Sequence, residues 1–328
     1  MSGKEQFFLR SNIQVEPLVD RWYAWPHLIP PATAARNITE RHMKIMTSYI
    51  NAPQIHSSAV KNPTMLGGPF IDYEAKKVEE IRALLDSIKH NRSHLLALSA
   101  ALGELDNLLR DTAKGYSLHP LYKQVPDLLK GYVELVYDLN NHASFRLIEP
   151  LLYKSKYYDR PQQSLMLSTI TNDSRPFMLS TPRLDSENSV HLQLAFEDPA
   201  IDTLFRLKTQ PLQWNEIKEL LRLEDSQDDG MSSFMTTEPP KQPYVPYTGT
   251  GVRWRYFGHA CILIESQGIS LLFDPVPSYT YESGVSRYTY GDLPDSIDYV
   301  LITHDHQDHV LFETLLQIRH KVKTVGCA

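Results

Sequence analysis

Apolar residues recur at helical spacing through the middle of the chain. Over Ala75–Lys89 the positions Val78, Ile81, Leu84, Leu85 and Ile88 fall on one face of a 3.6-residue repeat. His94–Arg110 repeats the pattern with Leu95, Leu98, Leu102, Leu105 and Leu109, and Leu121–Phe145 does so with Leu121, Val125, Leu128, Leu129, Val133 and Val136. These three segments predict a packed helical hairpin or bundle. Strands are predicted at Leu165–Ile170, Phe177–Ser180 and Val190–Phe196, the last alternating Val190, Leu192, Leu194 and Phe196. Asp198-Pro199 reads as a helix start, and Trp214–Leu223 as a short amphipathic helix. The first 70 residues carry little periodicity. Asn37 or Thr39 is expected to cap a helix running to about Ile50, and Asn62–Phe70 reads as a turn-rich loop.

A change of texture marks the best boundary. Asp225–Thr250 combines Asp, Ser, Gly and Pro with few apolar positions and reads as a linker, extended in its proline-rich second half. Beyond it, Val252–Phe257, Cys261–Ser266 and Ser270–Phe273 are closely spaced strand candidates, and Ile297–Ile302 is a strand of the buried type. Val310–His320 reads as a helix, and the ending Val325–Ala328 as the start of a further strand. The fold class expected is α/β and α+β. A mixed domain over residues 1–240 precedes a second domain over 241–328.

Composition narrows the function. With 328 residues, the chain is long enough for two domains. A net charge of −6 gives no basic surplus of the kind nucleic-acid binding requires. No apolar run approaches a membrane span, and the N-terminus lacks the apolar core of a signal peptide. Two cysteines, Cys261 and Cys327, leave no disulfide framework and fit a reducing cytoplasm. No phosphate-binding glycine loop and no nucleophile elbow is present.

The chemistry concentrates in His304-Asp305-His306-Gln307-Asp308-His309, which follows the apolar strand Ile297–Ile302 directly. On extended backbone His304 and His306 point the same way and can chelate one metal. Asp308 and His309 come after the chain turns and can face a second metal. Imidazole and carboxylate ligands suit zinc or iron. The competing reading is a polar loop of unrelated histidines.

The spacing H-x-H-x-D-H after a strand ending in Thr303 resembles the metallo-β-lactamase superfamily. Phe257–Ile264 is similar to that family's first hairpin, and Leu271–Pro275 to the strand that ends in a carboxylate. The resemblance implies that His304 and His306 bind one metal and Asp308 and His309 the other. Asp274 would orient the loop through hydrogen bonds, or else be an ordinary strand-end carboxylate. His259, beside Gly258, would be structural or lie at the edge of the site. The fold is an αββα sandwich whose remaining ligands come from later strands. The chain is therefore expected to carry the first half of that domain, as the N-terminal fragment of a longer protein or as a truncated gene product, and to hold metal weakly alone.

A narrower resemblance spans nearly the whole chain. Glu16–Trp25, His27–Pro31, Gly67–Asp72 and Glu313–His320 are similar to the family of the chloramphenicol-pathway β-hydroxylase. That family implies two metal ions, with iron favoured over zinc. It implies use of O2 to hydroxylate the β-carbon of an aminoacyl group carried by a nonribosomal peptide synthetase carrier domain. A zinc hydrolase of the wider superfamily is the first alternative, and a non-catalytic binding or dimerisation module the second. Tyr279, Tyr281, Tyr288 and Tyr290 either line a substrate channel or pack their own loop. The basic run Arg319–Lys323 either meets an acidic carrier or is a solvated helix end. The Trp22–Trp25 cluster is expected in the core or at an interdomain or homodimer contact.

Overall fold

The computed structural model describes residues 5–327. The chain divides into two compact units. One comprises Met1–Pro26, Arg160–Arg175 and Arg183–Ala328, and the other His27–Asp159 and Pro176–Pro182. Residues on both sides of position 240 lie in the first unit.

The chain opens with three strands that its sequence hides: β1 (Gln6–Leu9), β2 (Ile13–Val19) and β3 (Trp22–Tyr23). All seven residues of β2 are buried, including polar Gln14 and Glu16 as well as Pro17, so neither face of the strand is left to solvent. Trp22, Tyr23 and Ala24 are core residues.

The second unit begins with α1 (Pro31–Arg36), which runs through a π-helical segment, Asn37–His42, into α2 (Met43–Asn51). Asn37 is therefore no cap. Its Nδ2 donates to the carbonyls of His27 and Thr33, and Thr39 Oγ1 donates to Ala35 O. Bonding back to the preceding turn is what such side chains do inside a helix. Next come α3 (Pro53–Ala59), α4 (Val78–Asn91) and α5 (Ser93–Thr112). The last two are the expected amphipathic pair, burying Ile81, Leu85 and Ile88 from α4 and Leu95, Leu98, Leu102, Leu105 and Leu109 from α5.

The third predicted helix does not form. Residues 121–145 fold into short 3₁₀ turns and a hairpin of β4 (Val133–Tyr137) and β5 (Ala143–Leu147). Pro120 and Pro126 interrupt helical hydrogen bonding. Asn141 takes φ +59° in the loop joining the two strands. Short helix α6 (Glu149–Leu152) closes this part of the unit.

Back in the first unit, β6 (Gln163–Thr169) pairs antiparallel with β2 and β7 (Ser189–Leu192), giving the sheet order β3-β2-β6-β7. The predicted strand Phe177–Ser180 is instead a turn after Pro176, with Ser180 N donating to Phe177 O. Helices α7 (Ala200–Arg206) and α8 (Trp214–Leu221) follow as expected, with β8 (Leu212–Gln213) between them. The start of the expected linker is ordered as α9 (Asp228–Ser233) and β9 (Met235–Thr236). Buried Met231, Phe234 and Met235 hold it. Gly230 sits so close to Val190 that a Cβ there would lie 2.9 Å from Cγ2. Only 237–250 lacks helix and strand.

The site rests on a five-stranded sheet in chain order: β10 (Arg253–Gly258), β11 (Cys261–Ser266), β12 (Ile269–Phe273), β13 (Ile297–Ile302) and β14 (Val322–Cys327). The first three strands are antiparallel, and β12-β13-β14 are parallel. Ala328 lies outside the described residues. Side chains alternate across this sheet. Phe257, Cys261, Leu263, Leu272, Val300 and Ile302 point into a core shared with Ile318 of α10 (Phe312–Ile318). On the other face the register aligns Trp254, Ile264, Leu271 and Tyr299 in one row. Trp254 and Tyr299 at its ends are exposed.

Candidate metal centre

The histidine loop leaves the carboxyl end of β13, where a parallel sheet presents its ligands. Thr303 and His304 follow the strand end, and the chain then turns, with His309 N and Val310 N both donating to His306 O. Four of the expected residues gather there. The rings of His304 and His306 lie 4.5 Å apart and those of His304 and His309 3.9 Å apart. Asp308 Oδ2 is 3.9 Å from His309 Nε2.

His259 belongs to this cluster rather than standing apart from it. It opens the β10–β11 turn in a left-handed conformation, φ +49°, after Gly258 at +108°. That bend carries its Nε2 to 3.1 Å from Asp308 Oδ2 and its ring to 5.1 Å from that of His309. One donor atom each from His259, Asp308 and His309 lies within 4.8 Å of the others. A Gly-His pair in a hairpin turn was the only sequence signal for this placement.

Asp274 is the anchor. It follows β12, is buried, and takes φ +40°, a strained value for a residue with a Cβ. Its carboxylate accepts from Thr303 N and Thr303 Oγ1, both at 2.8 Å, and meets His309 Nδ1 at 2.9 Å. Burial works against its charge, but the Thr303 N–H, His309 and the Thr303 hydroxyl outweigh it and hold the carboxyl below its usual range. With Nδ1 committed to Asp274, Nε2 of His309 keeps its lone pair for a metal. Nearby Cys261 offers no thiolate, since burial pushes its thiol up to about 12. Imidazoles and a carboxylate without a thiolate fit iron or zinc, and the residues present could hold either.

A buried ionic network, missed by the sequence reading, fixes the helix after the loop. Glu313, the second residue of α10, is fully buried. It accepts from Tyr279 Oη at 2.6 Å, Tyr23 Oη at 2.8 Å and Arg175 at 2.9 Å. Arg175 also reaches Glu16 of β2 at 3.1 Å, and Arg183 meets Glu16 at 2.5 Å. Burial opposes the charge on Arg175, yet Glu313, Tyr23 and Glu16 keep it protonated. The same burial, reinforced by Glu313, raises both tyrosines well above their ordinary value.

The loop tyrosines pack the protein. Tyr290 Oη meets Thr314 Oγ1 at 2.7 Å, Tyr281 Oη donates to Asp173 at 3.0 Å, and Tyr288 lies on Phe257. Arg319 is no solvated helix end either: it binds Asp202 at 2.5 Å and the carbonyls of Phe196 and Asp198.

Residues 8–239 match the family described as the diiron non-heme beta-hydroxylase N-terminal domain. The chain belongs to this family. Residues 253–327 match the beta-lactamase superfamily domain. The 4-amino-L-phenylalanyl-(CmlP-peptidyl-carrier-protein) 3-hydroxylase of Streptomyces venezuelae is 35% identical over 326 residues, covering 98% of this chain and 61% of that protein. The crystal structure of CmlA, a diiron beta-hydroxylase from the same organism, superposes with a TM-score of 0.85 at 35% identity, over 98% of this chain and 60% of its own. A UPF0173 protein of Pyrococcus abyssi is 41% identical over 71 residues, 22% of this chain and 29% of its length. This chain thus spans about three-fifths of the hydroxylase it matches along nearly its whole length. The expected pairing of a mixed α+β region with a β-lactamase-type sheet is the fold of this family. Among the described residues, no helix is long and apolar enough to cross a membrane.

Proposed function

We propose that this chain acts in a diiron oxygenase that hydroxylates the β-carbon of an aminoacyl group carried as a thioester on a peptide synthetase carrier domain. The carrying observation is the loop His304–His309 at the carboxyl end of β13, with His309 oriented by buried Asp274. His304 and His306 would hold one iron, and Asp308 and His309 the other. His259, 3.1 Å from Asp308, stands where it could orient that carboxylate or join the ligand set. The pair of irons, when bound and reduced, would supply O2 activation. The residues of this chain would orient the ligands: Asp274 holds the His309 ring, and Thr303 ties the strand end to Asp274. Family membership supports iron and two metal sites over a zinc hydrolase. The family relative acts on a substrate bound to a peptidyl carrier protein, and a tethered substrate reaches a high effective concentration at its site. The modules at 1–240 and 241–328 would then divide substrate docking from chemistry.

The test is mass spectrometry of the carrier-bound amino acid after reduction of the iron-loaded protein under oxygen. A gain of one oxygen on the tethered amino acid is the expected result. Loss of the acyl group without reductant, at a rate that follows added zinc, would assign a hydrolase instead.

A further inference from the structure

The basic run at the end of α10 leads to a second site. A cavity of about 470 Å³ opens beside His320 and Lys321, within the size range of small-molecule pockets. It is not the metal centre. Its wall includes Leu293 and Asp295, which precede β13, whereas the histidine loop follows β13. A six-residue strand separates the two by roughly 20 Å.

The lining is cationic. Arg206, Lys208, Lys241 and Lys321 face one acidic side chain, Asp295. Among the described residues none of these four cations has a carboxylate at salt-bridge distance, whereas their neighbours Arg319 and Lys323 are paired with Asp202 and Asp298. Lys208 is held over the rings of Tyr279 and Tyr290, 5.4 and 5.8 Å from their centroids. Burial and the nearby charge of Lys321 lower its pKa to about 7, although Glu313 acts the other way. An arriving anion would reverse that penalty.

The cavity wall is polar as well as cationic, with Gln317 and His320 among its lining side chains. Gln317 is only 4% exposed and its Oε1 has no hydrogen-bond partner. Tyr290 and Tyr244 add aromatic surface to the same wall.

We propose that this cavity binds a small phosphate-bearing molecule, its anionic group on Lys208, Lys321 and Arg206 and its polar organic part against Gln317 and Tyr290. Several unpaired cations around one carboxylate favour a multiply charged anion over a single carboxylate.

Isothermal titration calorimetry of the full chain at low ionic strength, with ADP and inorganic pyrophosphate as probes, tests this. Saturable 1:1 binding is expected. Lys208→Met and Lys321→Met should each weaken it about tenfold or more, and the more exposed Lys241→Met about threefold. Thermal melts identify any variant that fails to fold, and Lys241→Met keeps the test open if a buried variant does. Absence of saturable binding of both probes up to about 1 mM would overturn the proposal. So would binding that survives all three lysine substitutions, or binding that His304→Ala abolishes while Lys208→Met leaves it intact, since that anion would sit on the metal loop.

Discussion

Asp274 combines two features that are separately unfavourable, a left-handed backbone and a buried charge. Each is offset by a partner the metal loop supplies. Thr303 gives two hydrogen bonds to the carboxylate, and His309 gives a third contact. The loop is therefore shaped by this residue before any metal arrives. In Asp274→Asn the amide keeps the size but removes the charge that orients His309. Metal affinity should fall about 10- to 100-fold, as for other lost outer partners of a histidine ligand. Elemental analysis of the purified variant at graded iron concentrations measures this, and unchanged metal content at every concentration would contradict the anchoring role. The four loop residues were legible because imidazoles and carboxylates crowded six positions after an apolar run. His259 was harder to read, because only the Gly258–His259 backbone bend brings it to Asp308, and sequence spacing does not encode that approach.

The helix α10 shows how an element is fixed by a residue whose type argues against burial. Glu313 lies in its first turn, where a carboxylate is favourable, yet it is fully buried and tied to β3 through Tyr23. Its partners, Tyr23, Arg175 and Tyr279, come from three separate stretches of chain, which is why no local pattern foretold it. The same interaction hid β2. Glu16 and Pro17 look like breaks in a strand, but Glu16 is neutralised by Arg175 and Arg183, on a sheet face that also carries buried Gln14 and Ser164. The strands β10 to β13 were legible because their apolar runs and alternation carry the answer locally. The 121–145 segment was not, because its apolar spacing suits a helix as well as a hairpin and its prolines decide between them. Glu313→Gln tests the network at constant volume. It leaves Arg175 with one carboxylate partner instead of two, and breaking such a buried pair typically costs about 3–5 kcal/mol. Calorimetry should record a Tm lower by about 10 °C, and a Tm within a degree of the parent protein would show that the network contributes nothing to stability.

At the scale of the whole molecule, both compact units bury histidines in neutral form, and this sets the acid limit of the fold. In the second unit His42 is buried on the π-helical segment, and desolvation, aided by the charge of Arg41, lowers its pKa from 6.5 to about 3. In the first unit burial lowers His191 and His320 to about 4. Each has a folded pKa below its unfolded value, so the unfolded chain takes up more protons between pH 6.5 and the folded pKa. Stability is thus fully present above pH 6.5 and declines as pH falls through that window. For His42 the loss between pH 6.5 and pH 4 is about 3 kcal/mol, at 1.36 kcal/mol per pH unit. Glu16 acts in the same direction but lower down. Burial alone would raise its pKa, but Arg183 and Arg175 more than compensate, so its contribution starts to fade only below 4.5. Thermal melts from pH 7 to pH 4 should therefore show a Tm that starts to fall near pH 6.5, well above the range in which Glu16 begins to lose its charge. In His42→Leu the proton-binding site is gone, and the second unit should lose most of its pH dependence over this window while the first unit retains its own. Hydrogen exchange resolved by segment separates the two units. An unchanged slope for residues 27–159 in the variant would show that His42 is not the group that makes this unit sensitive to acid.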